Sequence, residues 1–507
     1  CVIMTGTEFS VAAMRYRIRF VEPPETETKS CDELGTEAKV AQQLRHDILN
    51  SVAAAECPSG WPKHDPATYA TQLAVKAALV REAFPEATCG VEVFESPPSN
   101  HRMRAKIGLV GTENGEESAR SLGFSNSTEG RIDALEIASH GICAAMPLLL
   151  EALKAEPTLR VGAKMVTILS KRKGTLRRRS STDSLLPSEA VACLVYDRPI
   201  DEQQWRAAAT RVQTRWADLN NPPPQAAAAA AACGADEGAF ASIGTGAVRD
   251  EIEFDDDEGG SDRVKMSLIG QAKGHRVVVG PMGDGGNGDD GGSGECSQRD
   301  YVREVYELKD GRTLRYKHVM GHFSNPNAFA CKHTLDWLSD VATNNIKNRA
   351  SVDLLELYCG NGNHTVALAP LFRAALAVEI NPTLCVAAEE NLAANGVTNA
   401  SIQLSPSHDF CTRVLRKRSW THKPTGREFE FGAVLVDPPR AGLDDHTRAL
   451  VAKYTHVLYI SCNPFVSLRR DLDALLAPPH NFSIERLALI DHFPYTPHTE
   501  CAVYLHR

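Results

Sequence analysis

Leu354-Leu355-Glu356-Leu357-Tyr358-Cys359-Gly360-Asn361-Gly362-Asn363 is the stretch on which the fold turns. An apolar run of strand length leads directly into two glycines, and residues 365–372 then take helical spacing. Residues 375–380 read as the next strand, and Glu379 closes it about 20 residues beyond the loop. A second helix over 383–395 ends at Gly396, which suits a C-cap. Working outward, 402–404, 432–436 and 457–460 supply further strands, and 486–490 with 501–505 a last pair. Strands alternating with helices predict an α/β domain over 331–507, a doubly wound Rossmann-like sheet.

Four features in this segment carry chemistry. Glycines let the backbone approach a ligand closely, and the helix N-terminus behind Gly360 favours an anionic or polar group. An acid at Glu379 can accept a ribose hydroxyl pair. NAD and S-adenosylmethionine sites share this logic, but His364 and Thr365 follow Asn363 where the dinucleotide pattern has its third glycine. That favours S-adenosylmethionine. The second feature is Val436-Asp437-Pro438-Pro439-Arg440, a rigid turn after a strand that presents Asp437 at the ligand edge of the sheet. Third, Cys462 follows the strand 457–460 and precedes Asn463-Pro464. A lone thiol at a strand end is more often a buried small apolar group, but beside two ligand-edge motifs it reads as a nucleophile. Fourth, Glu500 precedes the last strand and gains meaning as a general base partnered to that thiol.

The rest of the 507 residues is less uniform. Apolar content of 43% supports one or two cores, and no run of about 18 apolar residues is present to cross a membrane. Cys1 rather than Met opens the chain, and the first residues show neither a secretory apolar core nor a clear transit composition. Fourteen cysteines lack any Cys-x-x-Cys pair, which argues against a zinc ribbon or an iron–sulfur cluster and for a reducing intracellular compartment. The formal charge of −9 argues only mildly against nucleic acid, because Glu251, Glu253, Asp255, Asp256, Asp257, Glu258 and Asp262 supply much of it. Residues 1–60 read as a poorly ordered extension. Residues 61–330 read as an α+β region, with helices over 69–84 and 205–216. Its strands fall at 91–94, 103–110, 165–169, 192–196, 264–279 and 305–323, and the first two are taken as one strand–turn–strand unit. Low-complexity inserts near 171–187, 221–262 and 283–298 lack the apolar content to fold.

Taken together, Leu354 to Asn363, Val436-Asp437-Pro438-Pro439-Arg440-Ala441-Gly442-Leu443-Asp444, Tyr459 to Pro464, Asp491-His492-Phe493-Pro494-Tyr495-Thr496 and His498-Thr499-Glu500-Cys501 are familiar. The chain resembles the tRNA (uracil-5-)-methyltransferases, in the branch without an iron–sulfur cluster. The resemblance covers nearly all of 331–507 and is patchier before it. It implies S-adenosylmethionine as co-substrate with no metal, tRNA as partner, and 5-methyluridine in the T-loop as product. It also implies Cys462 as nucleophile, Glu500 as proton acceptor, and Tyr358, Gly360, Asn363, Glu379 and Asp437 around the cofactor. The family's Phe-x-Gln-x-Asn stands here as Phe323-Ser324-Asn325-Pro326-Asn327, so Asn325 takes the place of a cofactor-contacting Gln with one methylene less. His364 replaces the usual aromatic after the glycine loop. Arg102 and Arg104, in the basic run 101–106, are the expected RNA contacts. A cytoplasmic monomer without membrane association is expected. Two other readings stay open at this level: an amino-methyltransferase using Asp437-Pro438-Pro439, and a non-catalytic tRNA chaperone on the same fold.

Overall fold

The computed structural model describes residues 8–11, 14–17, 45–46, 64–126, 130–132, 135–172, 188–220, 264–281, 298–417 and 419–507. The inserts expected near 171–187, 221–262 and 283–298 fall almost wholly outside these residues, as does most of 1–60. Within that extension Glu8–Val11 and Met14–Arg17 form an antiparallel pair. The chain divides into two compact units, residues 1–105, 126–139 and 301–507, and residues 106–125 and 140–300. Among the described residues, no helix is long and apolar enough to cross a membrane.

The first unit holds α1 (Tyr69–Ala83), β1 (Glu92–Phe94), the hairpin β2 (Tyr301–Glu307) and β3 (Thr313–Val319), and α2 (Ala328–Asn344). Then follow β4 (Asp353–Leu357), α3 (Asn363–Leu368), β5 (Ala374–Glu379), α4 (Pro382–Ala394), β6 (Ala400–Leu404) and α5 (Ser407–Val414). The chain ends with β7 (Phe431–Val436), α6 (Asp445–Val451), β8 (His456–Ser461), α7 (Arg469–Leu476), β9 (Ser483–Ile490) and β10 (Cys501–His506). Eight strands make one sheet in the order β6-β5-β4-β7-β8-β10-β9-β1. The first five run parallel, and β10 enters antiparallel beside β8. Strand order reverses between β4 and β7, the crevice where an open α/β sheet binds ligands.

Both faces of the sheet are covered, so its central strands are mostly apolar rather than alternating, with Asp353 and Glu356 of β4 as buried exceptions. Leu355, Leu357, Val434, Val436, Val457 and Tyr459 face one core with Phe410, Leu450 and Leu472. The alternate residues Leu354, Ala433, Leu435, Leu458 and Ile460 face another with Trp337, Leu338 and Val341 of α2. Asn327 caps α2 by accepting from the Phe329 and Ala330 amides. Asn381, with Pro382 behind it, caps α4 in the same way.

One expectation changes. The stretch 91–110 does contain two strands, but they do not pair with each other. Instead, β1 lies parallel to β9, while Arg104–Val110 joins the sheet of the second unit. Alternation specifies a strand and leaves its partner open. The compact unit of this sheet also takes in residues 301–330, ahead of the expected domain start at 331. The hairpin β2–β3 is bound to α4 through the Arg315 and Lys317 amides, which donate to Asn395 and Asn391 at 2.8 and 2.7 Å. Its Tyr316 hydroxyl donates to the Asn363 carbonyl at 2.8 Å.

The second unit orders its strands as His275–Val279, Val264–Ala272, Ser188–Tyr196, Ala163–Ser170, Arg104–Val110 and Gly123–Asn126. Helices His140–Ala155 and Glu202–Asn220 accompany them. Trp205 is buried and donates to the Tyr196 hydroxyl at 2.9 Å. A Cβ at Gly270 would stand 2.6 Å from the Trp205 ring.

Candidate active site

The loop after β4 is bent by left-handed backbone at Tyr358, Gly360 and Gly362, with φ of 65°, 57° and 75°. The two glycines serve different ends. A Cβ on Gly362 would lie 3.2 Å from Ala388 Cβ, so α4 needs that position small. A Cβ on Gly360 would meet nothing within 4 Å, which leaves an open backbone surface facing the crevice. Glu379, at the end of β5, organises this loop. Its Oε2 accepts from the Gly360 amide at 2.9 Å, and its Oε1 accepts from Ile380 and Asn381 at 2.9 and 2.8 Å. Three amide donors leave one of a carboxylate's roughly four acceptor positions for a hydroxyl.

The other expected cofactor residues are placed unequally. Tyr358 packs on the core beneath the sheet. Burial pushes its hydroxyl up to about 12 against the easing contacts of Thr447 and Ser407, so it props the loop from below. Asn363 turns its amide onto the Cys331 sulfur at 3.4 Å. Asn325 accepts through Oδ1 from the Asn327 amide at 3.1 Å and lies 2.9 Å from His492 Nδ1. Asp437 follows β7. Burial raises its carboxyl to about 6, with His364 opposing and Glu356 adding to the rise.

Two groups near Asp437 were not singled out as site residues. Glu356, in the middle of β4, is fully buried. Its Oε2 accepts from the Thr365 hydroxyl at 2.6 Å, and its Oε1 has no hydrogen-bond partner among the described residues. His364 Nδ1 stands 3.7 Å from that oxygen. Burial pushes this imidazole down, but Glu356 and then Asp437 outweigh it and leave its pKa raised. A Glu inside an apolar strand run, followed by a His where an aromatic is usual, is the signal that could have marked the pair.

Cys462 follows β8 at the carboxyl edge of the sheet. Burial first, then the charges of Glu500 and Asp437, push its thiol up to about 11, with Arg440 opposing. Asn463 donates to the Arg440 carbonyl at 3.2 Å and so ties the thiol's turn to the Asp-Pro-Pro turn. Glu500 stands just before β10. Burial and then Asp437 hold its carboxyl well above the ordinary range. The expected nucleophile, base and cofactor carboxylate thus sense one another at one edge. The turn leading to Glu500 is anchored from α1: buried Lys76 donates to Asp491 at 2.8 Å and to the Phe493 carbonyl at 2.9 Å.

Arg102 and Arg104, the expected RNA contacts, also have partners within the protein. The Arg104 guanidinium donates to the His322 carbonyl at 2.7 Å and to Ser324 Oγ at 2.5 Å. Arg102 Nε donates to the Arg104 carbonyl at 3.0 Å. The Arg104 side chain thereby clamps the loop that carries Asn325, a commitment the basic run 101–106 does not announce.

The residues present fit S-adenosylmethionine: an open glycine surface, an anchored acidic acceptor at Glu379, and the carboxyl groups of Asp437 and Glu500 by the thiol. Comparison with known proteins agrees. A family model described as tRNA (Uracil-5-)-methyltransferase matches residues 68–220 and 292–507. A protein of Azoarcus sp. (strain BH72) named tRNA/tmRNA (uracil-C(5))-methyltransferase is 33% identical over 450 residues, 88% of this chain and 98% of its own. A relative of the same name from Acinetobacter baylyi is 30% identical over 451 residues, 86% of this chain and 98% of its own. The solved Pyrococcus abyssi tRNA (uracil-54, C5)-methyltransferase in complex with S-adenosyl-L-homocysteine shares the fold at a TM-score of 0.50 and 18% identity, covering 86% of this chain and 83% of that one.

Proposed function

The chain belongs to the tRNA (uracil-5-)-methyltransferase family, and from that premise we propose that it methylates C5 of a T-loop uridine in tRNA through a covalent bond from Cys462 to uracil C6. It is an S-adenosylmethionine-dependent enzyme. The observation that carries the residue assignment is the register of β8 against β10, in which Ser461 pairs with Cys501 and so sets Cys462 beside Glu500, where Glu500 and Asp437 both raise the thiol.

Uracil C5 is a poor nucleophile until a thiolate adds at C6 and creates an enolate. The bound cofactor supplies an electrophilic methyl group on a sulfonium, for which Asp437 is a suited neighbour, while Glu379 is suited to a hydroxyl. Cys462 forms the bond to C6, and the C5 enolate so created takes the methyl group while the methyl–sulfur bonding pair stays on the donor sulfur. Glu500 then takes the C5 proton, the C5–H electron pair becomes the C5=C6 double bond, and the C6–S bond breaks with its electrons returning to Cys462. The target base leaves its stack to reach the thiol. With the thiol at about 11, on the order of one molecule in 10⁴ carries a thiolate at pH 7. Burial and the two carboxyl groups therefore oppose the thiolate, and the Arg440 charge favours it.

Tritium release from 5-tritiated uridine in tRNA tests this reading. Wild type releases tritium and Cys462→Ala releases none. Glu500→Gln accumulates a protein–RNA adduct that survives a denaturing gel. Tritium release by Cys462→Ala would refute the nucleophile assignment.

A further inference from the structure

His492 lies between β9 and Glu500 and is 2% exposed. Its protonation can be read from its neighbours. The Asn327 backbone amide donates to Asn325 at 3.1 Å, so the Asn325 atom there is the carbonyl oxygen and not the amide nitrogen. The same oxygen lies 2.9 Å from His492 Nδ1. An oxygen acceptor requires that Nδ1 carry the hydrogen. Burial, with His333 and His364 adding to it, pushes this imidazole down to about 3, so the ring is neutral and Nε2 presents a bare lone pair. Nε2 stands 3.5 Å from Glu500 Oε1 and 3.1 Å from Thr334 Oγ1. The Thr334 hydroxyl has one hydrogen and donates it to the Ala330 carbonyl of its own helix at 3.1 Å, which leaves the Nε2 lone pair to the Glu500 carboxyl.

We propose that His492 is a positioning residue for Glu500. Its hydrogen is locked on Nδ1 by Asn325, so it offers the Glu500 carboxyl an acceptor and no donor. An ionised Glu500 facing that lone pair gains nothing from it, whereas a protonated Glu500 gains a hydrogen bond. Hydrogen bonding to the neutral form raises a carboxyl's affinity for the proton. That is the property needed where the C5 hydrogen passes to Glu500, C5=C6 forms and C6–S breaks. The shortened Asn325 acquires a role in this arrangement, because it sets the tautomer of a histidine. The inference rests on Glu500 being the base.

The test uses the full chain with S-adenosylmethionine and a tRNA transcript lacking 5-methyluridine. Single-turnover methyl incorporation and the lifetime of the covalent adduct are followed together. His492→Leu is expected to incorporate methyl at close to the wild-type rate and to hold the adduct about tenfold longer, a fraction of the 10²–10⁴ that general acid–base catalysis contributes. His492→Gln, whose amide oxygen can accept where Nε2 does, restores most of the loss. Asn325→Leu, which frees the tautomer without touching the ring, lengthens the adduct lifetime in the same direction and carries the test if His492→Leu does not fold. The proposal is overturned if His492→Leu eliminates at the wild-type rate. It is also overturned if incorporation and elimination slow equally and Gln gives no rescue. Glu500→Gln separates the two readings: no persistent adduct there defeats the base assignment, whereas an adduct there and none in His492→Leu defeats only the role of His492.

Discussion

The Cys462 thiol should react as an unusually weak acid, and the size of the effect follows from the site. Burial beside Glu500 and Asp437 moves it from 9.0 to about 11. At neutral pH this lowers the thiolate fraction by on the order of 10²-fold, an upper bound of about 2.7 kcal/mol at 1.36 kcal/mol per pH unit, since a partly exposed group is screened by solvent. Alkylation by iodoacetamide, followed at the Cys462 peptide by mass spectrometry, should therefore rise about tenfold per pH unit through pH 8 and 9 without levelling. Asp437→Asn should raise the rate at pH 8, because it removes a charge that opposes the thiolate. Replacing Arg440 with Met should lower it. A rate that reaches its plateau below pH 9 would refute the argument that burial and carboxylates hold the thiol neutral.

Further outcomes follow from other contacts. Lys76→Met leaves Asp491 charged and buried without its partner, and should cost about 3–5 kcal/mol in urea unfolding; a loss under about 1 kcal/mol would contradict a buried pair. Arg104→Ala should weaken S-adenosylmethionine binding by loosening 322–325, while the slope of log tRNA affinity against log salt stays unchanged. A slope reduced by about one would instead place Arg104 on a phosphate. Asp437, raised to about 6 with His364 and Glu356 facing it, persists as a neutral acid to higher pH than usual, and its carboxylate is present only above that range. Cofactor affinity measured by calorimetry should therefore fall as pH drops through about 6, and Asp437→Asn should flatten that limb. Wild-type affinity that is flat down to pH 4.5 would speak against the carboxylate's role.

Much of the catalytic fold was legible because its signals are local. The run 354–357, the turn at Gly360 and Gly362 and the acid at Glu379 follow one another along the chain, and β4, α3 and β5 fold in that order. Cys462 and Asp437 were legible for the same reason, since each follows directly on an apolar strand. What local patterns could not show was partnership. Residues 92–94 alternate like any strand, yet pair with β9, nearly 400 residues away in sequence. Arg102 and Arg104 read as a basic patch, and the carbonyls their guanidinium groups also serve do not show in the sequence.

The amino-acid sequence by itself determined the element types, the glycine loop and the identities of a thiol and a carboxylate suited to uracil chemistry. These depend on backbone preference and on functional groups, both of which travel with the residue. Tertiary structure alone decided that Glu500, arriving on an antiparallel strand beside β8, shares an edge with Cys462. It also decided that buried Glu356 and His364 stand behind Asp437, and that Asn325 sets the tautomer of His492. Such facts depend on burial and on distances between residues far apart in the chain, because ionisation and hydrogen-bond direction belong to the surroundings of a group and not to its name.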